Sequence, residues 1–148
     1  MKAILAQSLL RYGDLKHELN DATLKGDGMA KDVSGTLESL MNVDGAMAAA
    51  VVDSKSGMAL GTIGSGVNLE VAAAGNSEVL RSKEKVMQSL GLNDNIEDIL
   101  ISLGKQYHLI RPFSKSKNLF IYLVLNREKA NLAMARHKLS EAESALEV

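Results

Sequence analysis

The stretch NVDGAMAAAVVDSKSGMALGT, residues 42–62, contains an apolar run, a polar turn and a second short apolar run. Residues 46–52 are continuously apolar, residues 53–57 have the composition of a turn, and residues 58–63 are apolar again. This order predicts an antiparallel hairpin. The turn brings an aspartate, two serines and a lysine together, but no histidine or second carboxylate partner is indicated. We therefore interpret it as a bend and not as a reacting group.

Helical patterns flank this hairpin on both sides. Apolar residues recur at helical spacing over residues 33–41, and Asp44-Gly45 ends that pattern. A longer amphipathic helix is predicted over residues 69–90, with Gly91 at its end. The predicted inner face of this longer helix consists of Leu69, Ala72, Ala73, Val79, Leu80, Val86, Met87 and Leu90.

Three strands and a final helix are predicted after the long helix. The stretches IEDILISL (96–103) and KQYHLIR (105–111) alternate between two faces. The stretch LFIYLVL (119–125) is apolar on both faces, as a central strand covered by helices on both sides should be. The last helix is predicted to start at Asn126, a residue type that caps helix N-termini. Its apolar face consists of Leu132, Ala135, Leu139, Ala142 and Leu146.

The length of 148 residues fits one ordinary domain. We divide the chain into residues 1–28, an amphipathic helix with a glycine linker, and residues 29–148, the main domain. Polar residues interrupt the apolar patch of the first segment, so neither a signal peptide nor a membrane span is expected. The chain contains no cysteine, which fits a reducing, cytoplasmic location.

The charge balance argues against nucleic acid as a partner. Lys and Arg total 17 and Asp and Glu total 18, so there is no excess of positive charge to follow a phosphate backbone. The absence of cysteine also excludes a disulfide framework, a thiolate metal site and a cysteine nucleophile.

Motifs that carry chemistry are weak. The glycine-rich residues 61–66 match neither G-x-G-x-x-G nor G-x-x-x-x-G-K-[ST], so we expect a strand-to-helix loop there. Glu97 with Asp98, and Glu141 with Glu143, do not face each other at these spacings and are expected to be solvated. No base, nucleophile and orienting group occur at credible spacing, so we expect no enzyme and no cofactor. Three histidines on different predicted elements are expected at the surface and not in a metal site: His17, His108 and His137.

The order and spacing of three pieces resemble the roadblock family, the dynein light chain 7-type fold. The first piece is the helix leading into Asp44-Gly45, followed by an apolar strand and then Val52-Asp53 and Ser56-Gly57. The second is the apolar strand 119–125, and the third is Asn131-Leu132 with Arg136 in the final helix. The resemblance implies an α+β, profilin-like architecture: a five-stranded antiparallel sheet with the long middle helix on one face and the first and last helices of the main domain on the other. Residues 1–28 add a helix before the usual start of such a domain.

The resemblance also implies a homodimer or heterodimer in which the third strand pairs with its counterpart and the two middle helices pack together. The residues themselves agree, since the third strand has the pattern of an edge strand that needs covering. The small residues 72–75 would let a second helix come close, although packing on the chain's own sheet would explain them equally well. The dimer interface is predicted to contain Leu69, Ala72, Ala73, Asn76, Leu80, Ile96, Asp98 and Leu100.

For function, the resemblance implies a non-catalytic, bacterial-type scaffold or regulator of a small Ras-like GTPase. Four arginines are available as a charge stabiliser of phosphoryl transfer in the partner, and the sequence assigns none of them to that role: Arg81, Arg111, Arg127 and Arg136. The alternative is a small-molecule sensor of the same sheet-plus-helix kind, which would need a cavity between sheet and helix lined by polar groups.

Overall fold

The computed structural model describes residues 32–146, so the predicted helix and linker in residues 1–28 lie outside the described residues. The elements follow the predicted order of helix, two strands, helix, three strands and helix. Within this range, no helix has both the length and the apolar composition that a membrane span requires. The elements are α1 (Val33–Leu40), β1 (Ala46–Asp53), β2 (Met58–Gly64), α2 (Leu69–Ser89), β3 (Ile99–Ser102), β4 (Gln106–Pro112), β5 (Leu119–Asn126) and α3 (Leu132–Ala145).

The five strands form one antiparallel sheet in the order β2-β1-β5-β4-β3. The predicted hairpin is confirmed, because β1 pairs with β2 across the turn at residues 54–57. On its other side β1 pairs with β5, which places Ala50 opposite Tyr122 and Val52 opposite Phe120. The most apolar strand, β5, therefore lies in the middle of the sheet, as its composition predicted.

The two faces of the sheet carry different helices. On one face, Leu119, Ile121 and Leu123 of β5 pack with the apolar sides of α1 and α3. On the other, Phe120 and Tyr122 pack in a cluster that includes three α2 residues: Leu69, Ala73 and Leu80. The successive side chains of β5 point to opposite faces, and each layer of helices buries one set. The predicted arrangement of helices on both sides of the sheet is confirmed.

The start of α3 differs from the prediction. Asn126 was expected to cap the helix, but its backbone is held in the sheet, where its N–H donates to the Gly45 carbonyl at 2.7 Å. The actual N-cap is Asn131, whose side-chain oxygen accepts a hydrogen bond from the Met134 N–H at 3.0 Å. Both asparagines can cap a helix, and pairing with the sheet decides between them.

The third strand is shorter than the stretch 96–103 that was predicted. The ladder with β4 covers Ile99 to Ser102 only. Leu103 was expected to share a face with Ile99, but the chain already turns there and its side chain is 43% exposed. The Leu103 N–H donates to the Gln106 carbonyl at 2.8 Å, which closes the turn into β4.

Candidate protein-binding interface

The strand β3 is an edge strand with an uncharged sequence. It pairs with β4 on one side, and no described strand lies on its other side. Its sequence Ile99-Leu100-Ile101-Ser102 contains no charge and no proline, two of the devices that keep an edge from pairing with another chain, and its short length of four residues is the one such device that it has. The outer backbone groups of β3 are therefore suited to accept a strand from a second molecule.

The opposite edge, β2, is irregular. Its ladder with β1 is interrupted by an irregularity between Val51 and Val52, and such irregularities twist an edge away from a flat pairing geometry. Gly64 ends the strand at a positive φ of 88°, where a side chain would collide with the Met47 carbonyl of the paired strand β1. The two edges of the sheet thus differ in their capacity to pair.

The second half of α2 lacks cover from its own chain. The helix packs on β1 and β2, and from Arg81 to Leu90 every residue is exposed except Met87. The prediction of an inner face is correct for Leu69, Ala73 and Leu80, which are all at least nine-tenths buried. It is wrong for three apolar residues that the sheet does not reach: Val79, Val86 and Leu90, at 38%, 47% and 65% exposure.

One flank of α2 has the composition of a helix-pairing surface. We call this flank the α2 seam. It contains two rows with a spacing of seven residues, Ala72, Val79, Val86 in one and Gly75, Ser82, Ser89 in the other. Apolar and small residues at this spacing stay on one face of a helix and let a second helix approach closely. A Cβ atom added to Gly75 would meet nothing within 4 Å, so this glycine is not required by packing within the chain. Helical periodicity alone does not predict this surface, and the seven-residue spacing is the sequence signal that indicates it.

The eight residues predicted for a dimer interface fall into different environments. Leu69, Ala73 and Leu80 pack on the chain's own sheet, which is the alternative that the sequence left open for the small residues. Four others are half-buried, Ala72, Asn76, Ile96 and Leu100, and the side chain of Asp98 is only 8% exposed. A second chain would therefore meet the seam and the half-buried residues before it met the first three.

Asp98 is already bound within the chain. Both of its carboxylate oxygens accept hydrogen bonds from Arg136, at 3.1 Å from Nε and 2.6 Å from Nη2. These hydrogen bonds are the main cause that raises the pKa of Arg136 above its usual range. The prediction of a solvated Asp98 is wrong, since its side chain is 8% exposed.

A polar network lies beside β3 on the α2 face of the sheet. The Tyr122 hydroxyl and His108 Nδ1 are 3.0 Å apart, and His108 Nε2 lies 2.8 Å from Gln106 Oε1. Burial lowers the pKa of His108, and burial also raises the pKa of Tyr122, which a hydrogen bond with Asn76 partly offsets. The expectation of a surface position is wrong for His108, which is half-buried, whereas His137 is exposed and His17 lies outside the described residues.

All four arginines considered for catalysis in a partner contact groups of their own chain. Arg81 donates to the Ser54 carbonyl and pairs with Glu78, while Arg127 donates to the Leu103 carbonyl at 2.9 Å. Arg111 and Glu143 form an ion pair at 3.4 Å, and the pairing of Arg136 is described above. Glu143, expected to be solvated, is 3% exposed, whereas Glu141 is exposed as predicted.

A groove of about 420 Å³ lies on the outer side of the α1 and α3 layer. It is not between the sheet and a helix, where a sensor cavity was expected. Among residues 32–146, no three His, Asp or Glu side chains converge as metal ligands. The groove is lined by Ser39, Leu40, Asn42, Val43, Asp44, Met134, Lys138, Glu141, Ala142 and Ala145.

Comparison with known proteins supports the architecture. No family model matches the chain, and no curated protein matches it either. Solved structures do match. A Roadblock/LC7 domain from Streptomyces avermitilis has a TM-score of 0.67 at 11% identity, over 77% of this chain and 93% of that one. MglB from Myxococcus xanthus has a TM-score of 0.68 at 11% identity, over 76% and 83% of the two chains. The gliding protein MglB from Thermus thermophilus has a TM-score of 0.67 at 16% identity, over 76% and 84%. These likenesses, together with the strand order and the placement of the helices, show that the chain has the Roadblock/LC7 fold.

Proposed function

We propose that this chain is a cytoplasmic, non-catalytic homodimer that binds a small Ras-like GTPase and acts as its scaffold or regulator. The observation that carries the proposal is the combination of an unpaired, uncharged β3 edge with an uncovered α2 seam in one Roadblock/LC7 fold. Both surfaces are suited to bind another protein chain, and neither has the convergent polar groups of a substrate pocket.

The proposed dimer is symmetric, because an edge strand and a helix flank can each pair with their own copy around a twofold axis. β3 spans only four residues, so strand pairing would supply few hydrogen bonds, and most of the buried apolar area would come from the α2 seam. The half-buried residues Ala72, Asn76, Ile96 and Leu100 would lie in or beside this interface. A solved neighbour with a TM-score of 0.67 is described as MglB with a tetrameric arrangement, which supports self-association in proteins of this fold.

The proposed role toward the GTPase is binding and positioning. The resemblance supplies the GTPase as the partner class, and three of the solved neighbours are described as MglB. Because Arg81, Arg111, Arg127 and Arg136 are held by their own chain, a hydrolysis stimulated through residues 32–146 would depend on ordering the GTPase's own residues and not on insertion of one of these four arginines.

Two measurements test the proposal. Light scattering after size exclusion should give twice 15.9 kDa, and a monomer at micromolar concentration would contradict the dimer. An affinity pull-down should then recover a small GTPase, preferentially in one nucleotide state, and GTP hydrolysis by that protein is measured with and without this chain. Recovery of a bound metabolite with no protein partner would favour the sensor instead.

A further inference from the structure

Two lysine-containing turns lie side by side at one end of the sheet. One is Ser54-Lys55-Ser56, between β1 and β2, and the other is Ser114-Lys115-Ser116-Lys117, between β4 and β5. They are neighbours because β1 pairs with β5 up to the partners Asp53 and Leu119. The Ser54 N–H then donates to the Asn118 carbonyl at 2.8 Å, which joins the two turns directly.

Each turn is held from inside by one buried carboxylate. Asp53, 1% exposed, accepts the Lys55 N–H at 3.0 Å and the Ser56 hydroxyl at 3.1 Å. Glu143, 3% exposed, accepts both the N–H and the hydroxyl of Ser114, at 3.0 and 2.9 Å. The shape of both turns is therefore fixed before any partner arrives, so binding would cost little ordering of the backbone.

At this end of the sheet the lysine side chains are exposed to solvent, whereas most of the carboxylates are buried. Three lysines, Lys55, Lys115 and Lys117, are exposed, and we call them the basic end. Lys115 Nζ also lies 3.3 Å from the Ser144 carbonyl oxygen. Arg81 reaches the same place from α2 through its hydrogen bond to the Ser54 carbonyl. Of the carboxylates described above at this end, only Glu78 is exposed, and it pairs with Arg81 at 2.8 Å.

We propose that the basic end is a docking surface for an acidic polypeptide segment of a partner protein. Lysines on two adjacent, fixed turns offer several ammonium groups to carboxylates spaced along one chain, and such complementarity steers association and sets register. The surface is separate from the β3 edge and the α2 seam, so the inference does not depend on the proposed GTPase or on the dimer.

The same geometry disfavours other anionic partners. A nest for a free phosphate uses unengaged backbone N–H groups, and two of those in the turns, of Lys55 and Ser114, are already taken by Asp53 and Glu143. Recognition of anionic lipid commonly uses about four to eight basic residues, whereas this end has three lysines and one arginine, Arg81, that is already paired with Glu78. Neither turn exposes an aromatic side chain on which a nucleic acid base could stack.

The test uses the full chain and a fluorescein-labelled oligoglutamate peptide of about ten residues as the probe, with fluorescence anisotropy as the readout. The variant Lys55→Gln/Lys115→Gln/Lys117→Gln removes the basic end. The matched control, Lys85→Gln/Lys105→Gln/Lys129→Gln, removes three exposed lysines elsewhere and gives the same net charge. Circular dichroism checks that both variants keep the fold.

We expect the wild-type chain and the control to bind the peptide at low ionic strength, and the triple variant of the basic end to bind about tenfold more weakly. The difference should shrink at about 0.15 M salt, where the Debye length is about 8 Å. Equal loss in both variants would overturn the proposal, because net charge alone would then explain binding. Binding to phosphatidylserine vesicles or to inorganic phosphate without binding to the peptide would also overturn it.

Discussion

The Arg136 guanidinium holds the Asp98 carboxylate through two hydrogen bonds, at 3.1 and 2.6 Å, and so ties α3 to the segment that leads into β3. The pair is asymmetric in its exposure, since the Asp98 side chain is 8% exposed and that of Arg136 is 45% exposed. It fixes the chain immediately before the edge strand on which the proposed dimer depends.

We expect Arg136→Gln to destabilise the fold more than Asp98→Asn does. Removal of the arginine leaves a nearly buried carboxylate without its partner, whereas removal of the charge at Asp98 leaves an exposed cation that water can solvate. Because the Arg136 side chain is 45% exposed, solvent screens the pair and the coupling energy should stay below about 1 kcal/mol. Urea denaturation of both single variants and the double variant measures it, and additive effects would show that the two residues act independently.

We expect Val79→Asp to convert a dimer into a monomer while leaving the monomer folded. Val79 lies in the middle of the α2 seam and is 38% exposed. The carboxylate of the new aspartate is therefore solvated in the monomer, but in the dimer it is buried without a partner. Gln88→Asp adds the same charge to an exposed position of α2 outside the seam and serves as the control. Light scattering over a concentration series gives the mass, and a dimer that withstands Val79→Asp would place the interface elsewhere.

Ala73 packs on the chain's own sheet, whereas Gly75 lies in the α2 seam and faces open space. Substitutions at these two positions therefore distinguish packing within the chain from packing between chains. Ala73 is fully buried on the sheet, so Ala73→Arg should unfold the protein.

Gly75→Ala should raise the free energy of unfolding of the monomeric Val79→Asp variant by about 0.5–1 kcal/mol, because glycine is costly inside a helix and its added methyl group meets open space. Thermal and urea denaturation measure both effects, and a folded Ala73→Arg would contradict the observed layer.

The fold should lose stability as the pH falls below about 6.5, in part through His108. Burial lowers the pKa of His108 from its ordinary 6.5, so the unfolded chain binds a proton more readily than the folded one. The contribution is present in full above pH 6.5 and declines toward the lower pKa of the folded state. His108→Gln should flatten the dependence of the free energy of unfolding on pH in this window. The wild type and the variant share all other histidines and all carboxylates, so these groups cannot cause the difference. An unchanged slope would show that His108 does not titrate differently on folding.

Local pattern was sufficient for most of the architecture. β5 is apolar on both faces and had to be central, and the polar turn after Val52 fixed the hairpin. The choice between Asn126 and Asn131 as helix cap was not local, because Gly45, distant along the chain, holds Asn126 in the sheet. Burial of Glu143 had the same origin, since its partners Arg111 and Ser114 are 32 and 29 residues away.

The candidate interface was predictable only in part. Helical periodicity identified the apolar residues of α2, but it does not reveal whether an apolar residue meets the chain's own sheet or a second molecule. Leu80 and Val79 are consecutive and both apolar, yet one is 2% exposed and the other 38%. Only the position of the helix over β1 and β2 separates them. The edge character of β3 was inferred from its pattern, and the strand order confirms it.

The difference between the two edges of the sheet has a consequence for stoichiometry. A sheet with two open edges can add copies without limit and grow into a fibre. Here the irregular ladder between Val51 and Val52 twists one edge away from a flat pairing geometry and makes it unfit for addition. When β3 of one molecule meets β3 of another, both open edges are used and only the blocked ones remain outside. A local irregularity at β2 therefore limits the number of molecules that can join through the sheet, although it lies far from the β3 edge at which they meet.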